Sequence, residues 1–256
     1  MAADSFPGWD WEDPDGLAAT MDAFTASLAQ CEKLDKVADT LPVTRQDFAA
    51  LGLTGVEFAA FKTQHPAGLG TDLVSLRAGA TVTERGHLYR ADGVSYFAEL
   101  DVADPLPFGD SCVDWVYAEH LIEHIQPPVA IGWLTEVRRI LAPGGLLRLT
   151  TPDLAKYAQG YVNDDGFLAR HRRRLRTLRV GPPMPERRAF MMNQIFYLYG
   201  HQWLYDLDEL RHVLGRAGFD PAAVVVRAFR EGADPQVAAL DTTLRRDETI
   251  YVEITA

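Results

Sequence analysis

Short apolar runs alternate with turns and helical stretches from about residue 55 onward, and this alternation constrains the fold more than any other feature of the sequence. Strands that alternate with helices build a mostly parallel sheet, because each parallel connection must cross over one face of that sheet. The alternation therefore predicts an α/β fold with a doubly wound sheet and helices on both faces. The runs of strand length are 56–61, 71–76, 95–102, 113–117 and 146–151.

Two helices can be placed from their end signals. Residues 129–141 form an apolar stretch of helical period, which Pro143-Gly144-Gly145 stops. Asp206 is expected to cap a helix over 206–217, and Gly218 ends it. Two later apolar runs should close the sheet as an antiparallel pair, which brings the count to seven strands. These runs are 223–229 and 249–254.

The first 50 residues differ in texture from the rest, so we divide the chain into a leader with a helical appendage (1–50) and an α/β domain (51–256). Apolar residues of the appendage recur at spacings of three and four, which predicts helices over 16–50. These residues are Leu17, Met21, Phe24, Leu28 and Cys31. A short helix should follow Thr44, with Asp47 completing a capping box. We expect the appendage to pack against the domain, with a lid or a homodimer contact as alternatives.

Residues 154–205 form a long insertion between the fifth strand and the last helix. Segments of this length at the carboxyl edge of a parallel sheet usually help to form the pocket, so we expect a substrate cap. The insertion contains an arginine-rich run at 170–176, a proline turn at 181–185 and aromatic residues over 196–205. We expect the arginine run to be a solvated helix face, with the attraction of an anionic substrate or a carrier protein as the alternative.

Charge and cysteine content exclude several classes of function. The net charge of -11 repels phosphate backbones, so nucleic acid is not expected as a partner. Two cysteines, Cys31 and Cys112, support neither a disulfide framework nor a cysteine zinc site. The N-terminus does not read as a secretory signal, and no apolar run approaches the ~20 residues of a membrane helix. We therefore expect a cytoplasmic protein that acts on a small molecule away from the membrane.

A series of linked motifs runs from Asp101 to Leu154. It reads DVADPLPFGDSCVDWVYAEHLIEHI and then LTEVRRILAPGGLLRLTTPDL. Asp101 follows the third strand, where a carboxylate can accept a hydrogen bond from an amino group. Leu106-Pro107-Phe108 is a stiff apolar turn, and Asp114 precedes most of the fourth strand.

These motifs resemble the second half of a class I S-adenosylmethionine-dependent methyltransferase of the type 11-like group. The family pattern is an acidic residue followed by LPF, then D-x-S-x-D, H-x-L-E-H and L-x-E-x-x-R-x-L-x-P-G-G. The matching positions here are Asp101, 106–108, 110–114, 120–124 and 134–145. The resemblance covers about residues 55–256. It implies a seven-strand Rossmann-like sheet and methyl transfer from S-adenosylmethionine to an oxygen, nitrogen or carbon atom of a small molecule.

The resemblance also implies roles for single residues. Glu57 organises the cofactor loop, and Asp72 holds the ribose hydroxyls, since a carboxylate can accept two hydrogen bonds from a vicinal diol. Asp101 and Val102 face the adenine. His120 lies near the place where the methionine part of the cofactor and the substrate meet.

The first loop departs from the family pattern. The family has G-x-G-x-G here, whereas this chain has Ala59, Phe61 and Thr63 at the three glycine positions. Glycine lets the backbone reach positive φ and approach a ligand closely. With Ala59 and Phe61 in the loop, three outcomes stay open. The cofactor binds with Phe61 turned away, it binds weakly, or the pocket takes another ligand.

The candidate catalytic residues are polar-tipped side chains near the expected pocket, each able to accept a proton: His120, His201 and Tyr205, with Tyr199 beside them. Residues 120–124 also read H-x-x-E-H, a zinc hydrolase motif in which both histidines share a helix face. The surrounding residues fit the methyltransferase pattern instead, and no second helix offers a clear third ligand. We therefore expect no metal, and we expect His124 to pack under the helix.

Methyl transfer is thus the leading expectation. Two alternatives follow from the replaced glycines. One is a repurposed methyltransferase fold that catalyses a cyclisation or isomerisation, and the other is a binding protein that retains only the fold. Phe61 separates the three, because a side chain that fills the cofactor cleft would prevent methyl transfer.

Overall fold

The fold is known from a computed structural model, which describes residues 23, 25–61, 65–178, 180 and 184–256. The acidic leader lies outside the described residues, as do Leu17, Met21 and Phe24 of the expected apolar stripe. Thr63 of the first loop and most of the proline turn, residues 181–183, also lie outside them.

The described residues contain eleven strands, of which nine form one sheet. The strands are β1 (Leu34–Ala38), β2 (Gly55–Phe58), β3 (Gly68–Asp72), β4 (Arg77–Ala78), β5 (Thr81–Val82), β6 (Leu88–Ala91), β7 (Ser95–Glu99), β8 (Val113–Glu119), β9 (Leu141–Pro152), β10 (Val225–Arg227) and β11 (Thr249–Thr255). The order in the large sheet is β1-β6-β7-β3-β2-β8-β9-β11-β10, and β4 pairs with β5 in a separate hairpin.

The centre of the large sheet is parallel. Strands β7, β3, β2, β8 and β9 pair in parallel, and β11 and β10 continue the sheet in antiparallel pairing. The predicted α/β class and the antiparallel closure by the last two strands are therefore confirmed. Strands β1 and β6 extend the β7 edge by two antiparallel strands beyond the seven expected.

Residues 25–28 are helical, and seven further α-helices are described from end to end. They are α1 (Arg45–Ala50), α2 (Pro127–Ile140), α3 (Leu154–Asn163), α4 (Phe167–Leu178), α5 (Arg188–Tyr197), α6 (Leu207–Arg216) and α7 (Pro235–Ala238). Local signals fix several of their ends. Thr44 and Asp47 form the predicted capping box of α1. The Asp206 side chain accepts from the backbone N–H of Glu209 at the start of α6, as expected.

Both faces of the sheet centre are covered. Phe58 of β2 contacts Trp133 of α2, with ring centroids 5.5 Å apart in an edge-to-face arrangement. On the opposite face, Trp115 and Tyr117 of β8 pack in a smaller cluster with residues of the α7 segment, Val237 and Leu240. The central strands thus point side chains to two separate apolar layers, one on each face of the sheet, because successive residues of a strand point to opposite faces.

A buried ion triad ties the second face together. The guanidinium of Arg148 donates from Nε to Asp241 Oδ1 at 2.9 Å and from Nη1 to Glu253 Oε1 at 2.8 Å. All three side chains are almost completely excluded from solvent. The charge of Arg148 is therefore compensated by two carboxylates within the interior, which is the condition for burying it.

Two sequence predictions need correction. The prediction of helices over 16–50 is wrong at Leu34–Ala38, which forms the edge strand β1. Strand β1 pairs with β6. A periodic pattern within a short segment cannot predict pairing with a strand so distant in the sequence. The second strand is β3, Gly68–Asp72, and not 71–76, because the chain turns after Asp72, whose Oδ1 accepts from the N–H of Val74 at 2.9 Å. The domain boundary at residue 50 stays a prediction.

Residues 154–205 contribute α3, α4 and α5, which share an apolar cluster of their own beside the sheet. Tyr157 and Leu175 are buried in this cluster, together with Met191 and Ile195. The insertion is therefore a packed helical unit. Over the part of the chain that the structure describes, none of the helices has the length and apolar character needed to span a membrane.

Candidate functional site

A cavity of about 460 Å³ lies at the carboxyl ends of the parallel strands. Its walls are formed by residues that end β2, β3, β8 and β9, by the loop after β7, and by side chains of α4 and α5. Cavities of this volume commonly accept small molecules, and this edge is where ligands bind in open α/β sheets. Seven of the nine residues predicted to bind the cofactor or to act in catalysis line it: Ala59, Phe61, Asp72, Asp101, Val102, His120 and His201.

The loop after β2 has the backbone that glycine favours, although its residues are not glycine. Ala59 has φ 53° and Phe61 has φ 47°, both in the left-handed region. A residue with a Cβ loses about 1–2 kcal/mol in this conformation. The surrounding structure holds it in place, since the N–H of Ala60 donates to the carbonyl of Thr71 at 3.1 Å and the N–H of Phe61 donates to Asp72 Oδ2 at 3.2 Å.

The Phe61 side chain is half-buried. It packs against a second apolar cluster, which includes Leu76, Tyr89 and Phe97 and lies toward the β1–β6 edge. Phe61 also forms part of the cavity wall, and the volume of about 460 Å³ remains beside it. The side chain therefore borders the cavity without filling it.

Two carboxylates stand at neighbouring strand ends. Asp72 ends β3 and is buried, and this burial raises the pKa of its carboxyl. Asp101 follows β7, and its Oδ1 accepts from the N–H of Ala103 at 3.0 Å. Arg85 places its guanidinium 3.5 Å from the other oxygen of Asp101. Both acids therefore face the cavity from positions that the backbone fixes.

Glu57 and Tyr205 do not line the cavity. Glu57 is buried in β2, and its Oε1 accepts from the N–H of His65 at 3.3 Å, which ties the far end of the loop back to the strand. Tyr205 is fully buried in the main core, where burial raises the pKa of its hydroxyl. Tyr205 therefore has no contact with a ligand in this cavity, and its prediction as a catalytic residue is not supported by its position.

The His120 side chain is 1% exposed and both of its ring nitrogens are engaged. Nε2 lies 2.8 Å from Thr249 Oγ1, which itself donates to the Arg245 carbonyl, so Nε2 must be the donor in this contact. Nδ1 lies 2.8 Å from Arg245 Nη1 and 3.1 Å from Glu123 Oε1. His120 therefore supports the cavity wall and does not offer a free nitrogen, contrary to its prediction as a base.

Two further histidines meet at the wall beyond His120. His124 ends a short 3-10 helix, Ile122–His124, and its ring contacts the His201 ring edge-to-face at 4.8 Å between centroids. The N–H of Gln202 donates to the carbonyl of Glu123 at 2.7 Å and so fixes the segment that carries His201. His124 lines the cavity. The sequence had predicted that it packs under the helix instead.

The pKa values of Glu123, His124 and His201 are all lowered, but the cause differs between the acid and the histidines. Burial lowers the pKa of His124 to about 4, and burial also lowers the pKa of His201. Burial by itself would raise the pKa of Glu123, but the adjacent His120, with His124 and His201, lowers it to about 2. At neutral pH His124 and His201 are therefore neutral, and Glu123, buried behind them, is a carboxylate.

Several residues of the wall were missed or left without a main role in the sequence analysis, among them Arg245, Glu248 and Tyr199. Arg245 and Glu248 come from the segment before β11, and Tyr199 follows α5. Glu248 accepts a short hydrogen bond from the Tyr157 hydroxyl, which also lies 2.8 Å from His171 Nε2. No motif marks Arg245 or Glu248, because only the return of the chain to the sheet through β11 brings them to the cavity.

Two of the five arginines in the run at 170–176 pair with acids. Arg174 lies 3.2 Å from Asp247, and Arg172 pairs with Glu186. His171, within the run, is buried and contacts Asp247 at 3.0 Å through Nδ1. The run thus attaches the cap to the segment before β11.

Comparisons with known proteins point to one family. A family model described as a methyltransferase domain matches residues 53–224, about two thirds of the chain. No curated protein matches the sequence.

Several solved structures are similar to this chain. An S-adenosylmethionine-dependent methyltransferase from Archaeoglobus fulgidus is 11% identical, with a TM-score of 0.42, over 83% of this chain and 95% of that one. Another from Mesorhizobium loti is 16% identical, with a TM-score of 0.42, over 82% and 96%. The CurJ carbon methyltransferase is 15% identical, with a TM-score of 0.43, over 80% of this chain and 48% of its own length. The chain thus spans about half of that last protein.

Proposed function

The chain belongs to the methyltransferase domain family, and we propose that it transfers the methyl group of S-adenosylmethionine to an oxygen, nitrogen or carbon nucleophile of a small molecule. The observation that carries this proposal is the loop after β2. Ala59 and Phe61 retain the left-handed backbone that the family's glycines provide, and the cavity stays open beside them. These two φ angles support the proposal that the loop can still bind the cofactor although its glycines are replaced.

The residues at the strand ends fit S-adenosylmethionine. Two carboxylates, Asp72 and Asp101, face the cavity, and apolar side chains line it as well, among them Leu73, Leu100 and Val102. A ribose needs acceptors for two hydroxyls, and an adenine needs an apolar slot with an acceptor for its amino group. We assign the ribose to Asp72 and the adenine to Asp101 and Val102.

When bound, the cofactor supplies an electrophilic methyl group on a sulfonium. The protein contributes position. Glu57 and Asp72 hold the two ends of the loop, through the N–H groups of His65 and Phe61. His124 and His201 line another part of the cavity, with Glu123 buried behind them, and this part receives the acceptor. Holding two reactants at attack distance is worth about 7–11 kcal/mol.

The insertion 154–205 acts as the substrate cap in this proposal. Leu175 of α4 and Ile195 of α5 place apolar surface on the cavity, opposite the strand ends. Apolar walls exclude water, which strengthens polar contacts inside the cavity. Tyr199, whose buried hydroxyl has no hydrogen-bond partner within the described residues, is positioned to bind a polar group of the substrate.

The proposal also covers the cellular location, the class of substrate and the oligomeric state of the protein. Cys31 and Cys112 are buried and form no disulfide, which is usual in the reducing cytoplasm. The net charge of -11 favours a small molecule over nucleic acid as substrate. A homodimer contact through residues 1–50 stays a prediction, and the sedimentation-equilibrium mass of the full chain tests it.

Calorimetric titration with S-adenosylmethionine and S-adenosylhomocysteine tests the proposal. We expect micromolar binding to the wild type, weakened at least tenfold by Asp72→Ala. Asp208→Ala is the matched control, because Asp208 is exposed on α6 and does not line the cavity. An absence of binding at millimolar ligand would contradict methyl transfer and favour a repurposed or non-catalytic fold.

A further inference from the structure

The acceptor end of the cavity brings together three side chains of a type that binds metal ions. Glu123 and His124 belong to the 3-10 helix after β8, and His201 belongs to the segment after α5. One ligand atom from each of the three lies within 4.8 Å of the other two. Two imidazoles and a carboxylate from separate parts of the chain thus converge on one point.

Both histidine rings keep a nitrogen available as a ligand atom, and the ring of His201 is also held by an outer contact. His201 donates from Nδ1 to the carbonyl of Ile195 at 2.5 Å, so its Nε2 carries the lone pair. Metal-binding histidines commonly make this second hydrogen bond, which fixes the ring and its tautomer. Across the described part of the chain, neither ring nitrogen of His124 makes a hydrogen bond, and both rings line the cavity.

The carboxylate is fixed in the same way. Thr151 donates from Oγ1 to Glu123 Oε2 at 3.0 Å, and Glu123 is completely buried. Among the described residues, the contact found for its other oxygen, Oε1, is the one with His120 Nδ1 at 3.1 Å. A buried carboxylate oxygen with so little compensation is expected to have a cationic or donor partner.

We propose that Glu123, His124 and His201 bind one divalent transition-metal ion at the cavity wall, with its remaining coordination positions open to the cavity. Ligand atoms around such an ion lie about 2.0–2.2 Å from it and so about 3–4 Å from one another. The present separations need to close by on the order of 1 Å, which small side-chain rotations provide. Imidazoles with a carboxylate favour ions such as Zn²⁺ over Mg²⁺ or Ca²⁺, which prefer oxygen ligands.

This set of ligands differs from the one that the H-x-x-E-H pattern suggests. In that pattern His120 and His124 share the ion, but both nitrogens of His120 are engaged here by Thr249, Arg245 and Glu123. His201 takes the place of His120 as the second histidine ligand. The expectation of no metal, made because no third ligand was evident, therefore changes once the fold places His201 beside His124.

The role of the ion rests on the proposed methyl transfer. Three protein ligands leave positions at which an oxygen or nitrogen of the acceptor can coordinate, as in catalytic zinc sites. Coordination would hold the acceptor on the side of the cavity away from Asp72 and lower the pKa of its hydroxyl or amine. In this arrangement His201 acts as a ligand and not as a general base.

Metal titration of chelator-treated, full-length protein tests the site. Zn²⁺ binding is measured by calorimetry, and Co²⁺ binding by its visible absorption, in wild type, His124→Gln and His201→Gln. His212→Gln is the matched control, because His212 is exposed on α6. We expect one Zn²⁺ per chain with micromolar or tighter affinity, at least tenfold weaker binding in the first two variants, and no change in the control. Circular dichroism establishes that all variants are folded.

Two results would overturn the inference: no Zn²⁺ binding by the wild type at 100-fold excess over protein, or equal binding by wild type and both ligand variants. Titration of the same samples with S-adenosylhomocysteine separates this inference from the proposed function. If only the metal site is wrong, the cofactor binds and Zn²⁺ does not. If only methyl transfer is wrong, Zn²⁺ binds and the cofactor does not.

Discussion

The backbone N–H of Phe61 donates a hydrogen bond to Oδ2 of Asp72, 3.2 Å away. This bond joins the loop after β2 to the last residue of β3. Asp72 therefore holds a left-handed residue in place, and it also faces the cavity in which we propose that the ribose binds. The loop and the ribose acceptor are thus one structural unit, and changes to either should affect the other.

Ala59→Val tests the strain in this loop. A β-branched residue is strongly disfavoured at φ 53°, so we expect the free energy of unfolding to fall by about 2 kcal/mol. Ala60→Val is the matched control, because Ala60 is not among the residues with positive φ. Urea denaturation measures both variants. Equal losses at the two positions would show that the backbone of Ala59 is not strained.

Phe61→Leu tests whether this side chain stands clear of the cofactor. Leucine preserves most of the packing against the cluster of Leu76, Tyr89 and Phe97. Because Phe61 borders the cavity without filling it, we expect the affinity for S-adenosylhomocysteine to stay within threefold of wild type. Calorimetry gives the affinity directly. Binding more than tenfold tighter in the variant would mean that the aromatic ring obstructs the cofactor.

Asp72→Asn tests the charge at the end of β3. Burial raises the pKa of Asp72 above its ordinary value of 3.8. A raised pKa in the folded state adds stability below the unfolded value, and this stability is lost as pH rises through the folded value. The free energy of unfolding of wild type minus that of the variant should therefore fall as pH rises from 3 to 7. A difference that stays constant or rises over this range would contradict a raised pKa.

Arg148→Ala tests the buried triad behind the sheet. Removing the guanidinium leaves Asp241 and Glu253 buried, so we expect a loss of about 3–5 kcal/mol in unfolding free energy. Arg227→Ala is the comparison, since Arg227 also pairs with Glu253 at 2.7 Å but is partly exposed. Its removal should cost about 1 kcal/mol or less. Chemical denaturation measures the free energy of unfolding of both variants. Similar losses in the two would argue against a structural role for Arg148.

Local signals allowed much of the fold to be predicted. The capping box of Thr44 and Asp47 and the N-cap Asp206 depend on residues three positions apart, so the sequence reports them directly. The start of β3 was placed too late because Gly68-Leu69-Gly70 is not an apolar run, although it is fully buried. Strand β1 was missed because its partner, β6, lies more than fifty residues away.

The candidate site was predictable only in part. Asp72 ends a strand, and Asp101 and Val102 follow one. Because the strands are parallel, their ends indicate that these three residues share one edge of the sheet. The contact between His124 and His201 depends on how the segment after α5 docks against the 3-10 helix. Likewise, Glu248 reaches the cavity only because β11 pairs with β9. Neither arrangement leaves a pattern in the sequence, since both depend on tertiary packing.

The most direct test of the account is a crystal structure of the protein with S-adenosylhomocysteine. We predict that both ribose hydroxyls donate to Asp72, that the adenine lies against Val102 with its amino group toward Asp101, and that the sulfur faces the wall of His124 and His201. The backbone of Ala59 and Phe61 should keep its positive φ. A structure in which the Phe61 ring occupies the ribose position, or in which the ligand binds outside this cavity, would contradict the proposed methyltransferase site.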